Sequence, residues 1–380
     1  MALLDTVDPQ GLEEFSVVFT DRSLNSMSQA FQGVMRDIDA GLKRVYGADH
    51  VAVIPGGGTF GMEAVARQLG QGARALVVRN GWFSYRWSQI MEAGAFTEGV
   101  EVIKARQQGN DSRAPFAPPP VEDVVARIRE SRPDVVFAPH VETSAGVILP
   151  DAYIARLAEA AHEVGGLMVL DCIASGCVWV DMAATGVDVL ISAPQKGWSS
   201  TPCAGLVMLS DRARTRVDGR DSDSFAIDLK KWLSIMDAYL GGGHAYHATM
   251  PTDALRQFRD AMAETEAFGL DAAKAAQWEL GHRVRAMIAA KGLRSVAADG
   301  FGAPGVVVSY APSEEVKTGK AFAAHGVQIA AGVPLQCDEP ADFATFRLGL
   351  FGLDKLKDVD GTAARLARVL DQVFPEPMAA

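Results

Sequence analysis

Two charged residues stand where the stretches "LMVLDCIAS" and "VDVLISAPQKGWSSTP" are otherwise apolar, small or hydroxylated. Asp171 closes the run Leu167–Asp171, and Lys196 follows the run Val187–Ser192. A carboxylate at the end of a buried strand is costly unless a cation or hydrogen-bond donors meet it. A lysine held out of water has a lowered pKa and becomes a nucleophile toward an aldehyde. The two lie 25 residues apart, the length of one β-crossover, so the spacing sets both on one rim of a sheet. In "PGGGTFGMEAV", Gly57, Gly58 and Thr59 stand at a strand-to-helix turn, where backbone N–H groups and the helix N-terminus can face an anion. The loop lacks both the P-loop ending and the full dinucleotide pattern, and alone it is equally well a tight βα turn. In "NGWFSYR", Trp82 or Phe83 can lie flat on a planar ring or simply fill the core. Arg347 in "TFRLGLFG" is a guanidinium within a strand pattern, where an anion or a structural ion pair must offset it.

The elements that must position these groups alternate along the chain. Short β-rich runs occupy Val51–Pro55, Ala75–Asn80, Asp134–His140, Leu167–Asp171, Val187–Ser192 and Gly205–Ser210, with helical patterns between them. Near-continuous apolar strands separated by helices imply a mainly parallel sheet covered on both faces, with ligands bound at the strands' carboxyl ends. "QQGNDSRAPFAPPP" reads as a surface excursion. A long helical stretch from Thr252 to about Lys291, broken near Gly269, leads out of this unit. Strand patterns at Gly305–Tyr310, Val327–Ala330 and Thr345–Leu350, with helices near Ser313–His325 and Val359–Val373, form a smaller α/β unit.

The chain has 380 residues, 48% of them hydrophobic, enough for a sizeable core and two domains. A net charge of −11 and the absence of a Lys/Arg cluster exclude a nucleic-acid partner. No apolar window is long enough to span a membrane, and acids stand in "MALLDTVDPQGLEEF" where a secretory signal needs a basic start, so a soluble, cytoplasmic protein is expected. Cys172, Cys177, Cys203 and Cys337 lack paired spacing, which fits reduced thiols and no structural zinc. His244 and His247 in "HAYHATMP" offer too few donors for a metal site.

The segment from "LMVLDCIAS" to "QKGWSSTPCAGLVMLS" resembles the signature of class V, fold type I pyridoxal-phosphate enzymes. It is most similar to the alanine–glyoxylate and serine–glyoxylate aminotransferase branch, and the resemblance runs from about Leu24 to the C-terminal helix. It implies an α/β fold: a large domain with a mainly parallel sheet of the seven-stranded type, and a smaller C-terminal α/β domain. The corresponding divisions are residues 1–30 as an N-terminal segment shaping the pocket and the dimer, 31–270 as the cofactor domain and 271–380 as the small domain. It implies further that Lys196 holds pyridoxal phosphate in a Schiff base and later shuttles the α-proton, while Asp171 pairs with the protonated ring nitrogen. "PHVETSAGVILP" matches the family's ESSTG segment and places Thr143 near the ring. Phe83 aligns with the stacking aromatic, phenylalanine here where close relatives carry tryptophan. Gly57, Gly58, Thr59 and Gln195 are implied around the phosphate, with Tyr246 and Thr249 reaching a neighbouring subunit's cofactor in a homodimer. Arg347 is implied to bind the substrate α-carboxylate.

The chain departs from the family where relatives open with a "GPGP"-like segment. It reads "EEFSVVFTDRSLNSMSQAF" instead, and Arg22 is expected to contact a second anionic group of the substrate. The resulting expectation is ping-pong transamination between a small amino acid of the alanine or serine type and glyoxylate or pyruvate. The alternatives are a lyase or cysteine desulfurase of the same fold, for which Cys337 is the candidate nucleophile, and a non-catalytic nucleotide-binding α/β protein.

Overall fold

Four mutually parallel strands come from apolar runs and are buried at every position: Ala75–Arg79, Val135–Pro139, Leu167–Asp171 and Val189–Ser192. In a computed structural model describing residues 7–95 and 100–376, they are joined by His50–Pro55, Val100–Lys104 and Ala204–Leu209 in one seven-stranded sheet. From edge to edge the strands begin at residues 50, 204, 189, 167, 135, 75 and 100. All pairings are parallel except the two made by Ala204–Leu209, which runs antiparallel to both neighbours. The sheet is thus mainly parallel. Its edge strand Val100–Lys104, half-buried at every position, has no continuous apolar run in the sequence to announce it.

Helices pack against the sheet because the crossovers between its parallel strands must bury their apolar sides. Gly58–Gly70 lies so close to Ala204–Leu209 that a Cβ on Gly205 would stand 2.7 Å from the Gly61 nitrogen. That closeness sets the helix N-terminus on the sheet rim. One apolar cluster runs from Leu24 through the sheet to Met262.

The long stretch after Thr252 is two helices, Thr252–Phe268 and Leu270–Ala290, separated at Gly269, whose φ of 103° lies in the region glycine favours. A second sheet pairs Val306–Tyr310 with Thr345–Gly349 and the latter with Ala330–Ala331, all antiparallel. The helix expected over Ser313–His325 is two short pieces, Glu314–Lys317 and Lys320–Ala323, because Gly319 at φ 81° interrupts it. The expected strand Val327–Ala330 shrinks to Ala330–Ala331, which is exposed and so has no apolar face to bury. Within Gln107–Pro120 the chain is not wholly superficial: Phe116–Ala117 pairs with Arg106–Gln107, and the Phe116 ring is 1% exposed.

Candidate active site

Asp171 ends its strand in register with Pro139 on one side and Ile191 on the other. It is 7% exposed, and its Oδ1 accepts from the Ile173 N–H at 2.9 Å. No Lys, Arg or His of the described residues lies within ion-pair distance of its carboxylate. Burial pushes its carboxyl up to about 7, with the nearby Glu142 adding to the effect and the Ile173 N–H and Arg86 opposing it. This is an acid waiting for a cationic partner.

Lys196 lies in the turn just beyond Val189–Ser192, on the strand next to that of Asp171. It is half-buried, and its Nζ sits 5.1 Å from the centre of the Phe351 ring. Burial lowers its pKa, and the charge on Arg347 lowers it further. No carboxylate of the described residues pairs with it. Beneath the turn, Trp198 is fully buried against Trp179, with ring centres 4.7 Å apart, so the backbone carrying Lys196 rests on a rigid aromatic floor.

Arg347 is central in Thr345–Gly349. Its Nε donates to the Ala331 carbonyl at 2.8 Å, and the rest of the guanidinium has no carboxylate partner among the described residues. Its Cζ lies 5.6 Å from the centre of the Phe83 ring. Burial lowers its pKa, while Glu142 acts the other way. The structure therefore brings Lys196, Arg347 and Phe83 into one neighbourhood.

The glycine loop delivers the other wall. Gly56 has φ 125°, Gly57 is extended and caps Gly58–Gly70, and a Cβ on Gly58 would meet Ile173 Cδ1 at 2.5 Å. Thr59 is exposed, and its hydroxyl accepts from Arg86 Nη1 at 3.0 Å. Gln195 is half-buried, and its Oε1 is buried without a partner. Thr143 is 9% exposed, in the turn between the short strands Val141–Glu142 and Val147–Ile148.

Two further residues beside the candidates escaped the sequence reading. Glu142 is fully buried, and its carboxylate accepts from Phe83 N (3.2 Å), Ser84 N (2.8 Å), Ser84 Oγ (2.7 Å), Ser144 N (3.1 Å) and Ser144 Oγ (2.7 Å). It thereby caps the N-terminus of Trp82–Gly94 and ties the helix bearing Phe83 to the turn bearing Thr143. Gly81 is required beside it, since a Cβ there would run into Ser144 Oγ. The available signal was an acid inside "FAPHVETSAGVIL", a run too apolar to leave a carboxylate unpaired. Arg86, one helical turn after Phe83, places its guanidinium 5.3 Å from that ring.

Tyr246 and Thr249 are not gathered in. Tyr246 is 66% exposed, and its hydroxyl lies 3.3 Å from that of Thr249. Arg22 is exposed in a turn, with its backbone N–H donating to Thr20 Oγ1 at 3.2 Å, and no contact of its side chain with the other candidates is formed. Cys337 is 4% exposed, and burial pushes its thiol up to about 12, so it is no ready nucleophile. Among the described residues no cluster of His, Cys, Asp and Glu could hold a metal ion.

The sequence model of the class V aminotransferases matches residues 12–341. The 2-aminoethylphosphonate–pyruvate transaminase of Burkholderia mallei is 28% identical over 362 residues, covering 93% of this chain and 92% of that protein. Among solved structures, an aspartate aminotransferase from Thermus thermophilus superposes with a TM-score of 0.75 at 26% identity, over 92% of each chain. An alanine–glyoxylate aminotransferase from Nostoc has the same fold, with a TM-score of 0.77 at 22% identity over 92% of this chain and 88% of that one. With a charged rim at the strands' carboxyl ends and a family match across most of its length, the chain belongs to the class V aminotransferase family.

Proposed function

We propose that the enzyme holds pyridoxal phosphate on this rim and moves an amino group from a small amino donor to pyruvate or glyoxylate. The observation that carries this reading is a set of uncompensated groups at and beside the carboxyl ends of the strands. Asp171 is a buried acid without a cation, Lys196 and Arg347 are cations without an anion, and Gln195 keeps a buried acceptor unpartnered. A planar, protonated, phosphorylated aldehyde satisfies all of them together. Gly57, Gly58, Thr59 and Gln195 would hold its phosphate, Asp171 its ring N–H, Phe83 a ring face and Thr143 its edge.

Such a cofactor supplies an electron sink for the charge left at the donor carbon when its proton departs. The protein's own part follows from its residues. Arg347 binds the donor's anionic group through the N–H groups not used by Ala331 and so fixes the Cα–H direction. Lys196, with its lowered pKa, is available as a neutral amine to take the α-proton and return it on the other side of the exchange. The aromatic floor under its turn and the ring of Phe351 limit water at Nζ.

Alanine or serine is the donor expected from the sequence. The relatives named for 2-aminoethylphosphonate favour a second donor class, an amine whose anion is a phosphonate. Here two guanidinium groups, Arg347 and Arg86, flank Phe83 at 5.6 and 5.3 Å, and a fork that binds a carboxylate also binds a phosphonate. Arg22 belongs to this question as a candidate for a second anionic group.

Three further readings complete the proposal. A homodimer with shared sites is supported by the exposed Tyr246–Thr249 pair and by the exposed Leu12, Phe15 and Val17 of the N-terminal segment. A division at about residue 270 is supported by an apolar cluster formed largely by residues from Ala273 onward, whereas Leu24 shares the sheet's cluster with Phe31, so the division at about residue 30 has no such support; residues 1–6 lie outside the described residues. A cytoplasmic setting is supported by four free, buried cysteines, and no helix of the described residues is long and apolar enough to cross a membrane.

The test is the visible spectrum of the purified protein and of Lys196→Ala, with L-alanine, L-serine or 2-aminoethylphosphonate added first and pyruvate or glyoxylate second. A yellow band that bleaches with a donor, returns with an acceptor and is altered in the variant is the expected result. A protein that stays colourless with added pyridoxal phosphate refutes the proposal. A band indifferent to every donor would move the assignment to another reaction of the same fold.

A further inference from the structure

A second cavity, of about 380 Å³, opens between the helix Leu270–Ala290 and the strand Val306–Tyr310, away from the rim just described. Its lining includes Trp278, His282, Arg285, Leu293, Asp299 and Ser309. Arg285 carries a guanidinium with no carboxylate partner among the described residues. Its Nη2 donates to the carbonyls of Ala303 (2.8 Å), Gly146 (3.2 Å) and Val306 (3.3 Å), and Nη1 has only Ser295 Oγ at 3.5 Å. Burial, with no opposing charge to offset it, lowers its pKa to about 10. Gly302 packs flat on it, since a Cβ there would stand 2.8 Å from Cζ. Ser309 is 1% exposed, and its hydroxyl has no partner. Asp299 is an exposed carboxylate of the same lining, and it forms no ion pair with Arg285 or with any other described residue.

An unpaired cation and an unpaired carboxylate facing one cavity, beyond salt-bridge reach of each other, ask for a ligand that carries both charges. Ile288, Leu293 and Val307 supply an apolar wall, and the tilted Trp278–His282 pair, with ring centres 5.5 Å apart, supplies a flat one. We infer that this cavity is a second, non-catalytic site for a free α-amino acid with an apolar side chain, its carboxylate on Arg285 and its ammonium toward Asp299. Dicarboxylates and simple anions fit less well, because Asp299 repels them.

The site is wired to the catalytic rim through backbone. Besides the Arg285 contact, the Gly146 carbonyl accepts from Ala303 N at 2.8 Å, and Ile148 N donates to Phe301 at 2.8 Å. Gly146 ends the turn that carries Thr143 and Ser144, and Ser144 Oγ accepts from Trp82 N at 2.9 Å. An occupant of the cavity therefore bears on the turn that borders the catalytic rim. The inference concerns binding and holds whichever donor the catalytic site prefers.

The probe is cycloleucine, a zwitterion with an apolar ring and no α-proton to lose, titrated calorimetrically into the holoenzyme. The cofactor spectrum reports catalytic-site occupancy in parallel. Expected is binding heat beyond what the spectrum accounts for, weakened at least about tenfold in Asp299→Asn and in Arg285→Leu. Cyclopentanecarboxylate and cyclopentylamine, each lacking one charge, should bind at least about tenfold more weakly than cycloleucine. Heat fully accounted for by the spectrum, or unchanged in Asp299→Asn, overturns the site. Equal binding of cyclopentanecarboxylate overturns the zwitterion assignment. Should Arg285→Leu lose its native circular dichroism, Asp299→Asn and the two analogues decide the matter alone.

Discussion

The unpartnered acid at Asp171 should be visible in the stability of the cofactor-free protein. Its carboxyl rises from 3.8 to about 7 on folding, chiefly through burial. For a raised folded-state pKa, the favourable contribution is complete below the unfolded value and is lost as pH climbs through the folded one. A difference of about three units corresponds to about 4 kcal/mol above neutrality, an upper bound at about 1.4 kcal/mol per unit. Asp171→Asn abolishes the titration and keeps an oxygen to accept the Ile173 N–H. Relative to wild type, the variant should therefore gain about 2–3 kcal/mol between about pH 5 and about pH 8. Urea unfolding of the stripped proteins at both pH values reads this directly. Added pyridoxal phosphate should erase much of the pH-dependent loss in wild type, because a cationic ring N–H would meet the carboxylate, and should change Asp171→Asn far less. Parallel curves at the two pH values would refute the reasoning, since they would mean that Asp171 already has its partner within the chain.

Arg347→Leu should lower kcat/KM for carboxylate donors by roughly 10²-fold, the loss of a charge-assisted pair. It should also raise the pKa of Lys196, because Arg347 is one cause of its depression, and a pH profile of donor reaction displaced to the alkaline side would check this. Glu142→Gln should destabilise the fold by about 2–4 kcal/mol, since five donors now converge on one carboxylate; thermal unfolding measures it, and Ser144→Ala should cost about 1 kcal/mol. Cys337→Ser should transaminate within about twofold of wild type, and the native thiol should react with a disulfide reagent only on unfolding. Sulfide released from cysteine by wild type and lost in that variant would revive the desulfurase reading.

The large sheet was legible because its central strands are buried on both faces and must be written as apolar runs, as in "LMVLD" and "VVFAP". The edge strand Val100–Lys104 alternates "VEVIK" and is half-buried throughout, so the same signal is absent from it. Gly319 shows the opposite limit. Its positive φ splits a helix that the apolar spacing alone extends to His325, and a glycine inside a helical pattern does not disclose which φ it will take. Lys196, Asp171 and Arg347 were readable as charges in the wrong company. Glu142 was in equal view in "VETS", but its meaning depends on Phe83 and Ser84, some sixty residues earlier in the chain, and no local pattern reports such a partnership. Arg86 was closer at hand: once Phe83 is placed on a helix, the residue three positions later shares its face.

The electrostatics of the rim explain why the acid and the amine do not neutralise each other. Asp171 and Lys196 hang from adjacent parallel strands, yet neither figures among the charges that shift the other; Glu142 and Arg86 act on Asp171, and Arg347 acts on Lys196. Had they met, Lys196 would be a buried ammonium in an ion pair, its pKa held up and its nucleophilicity lost. The parallel register instead ends one strand in the acid and carries the other on through a turn to the amine, over Trp198 and beside Phe351. On the proposed reading, Asp171 would hold the ring nitrogen of pyridoxal phosphate and Lys196 its aldehyde carbon, and the ring would supply the electron sink. Separation enforced by a packed core, here the apolar cluster under the sheet, is thus the means by which an ordinary lysine and an ordinary aspartate acquire opposite and useful shifts.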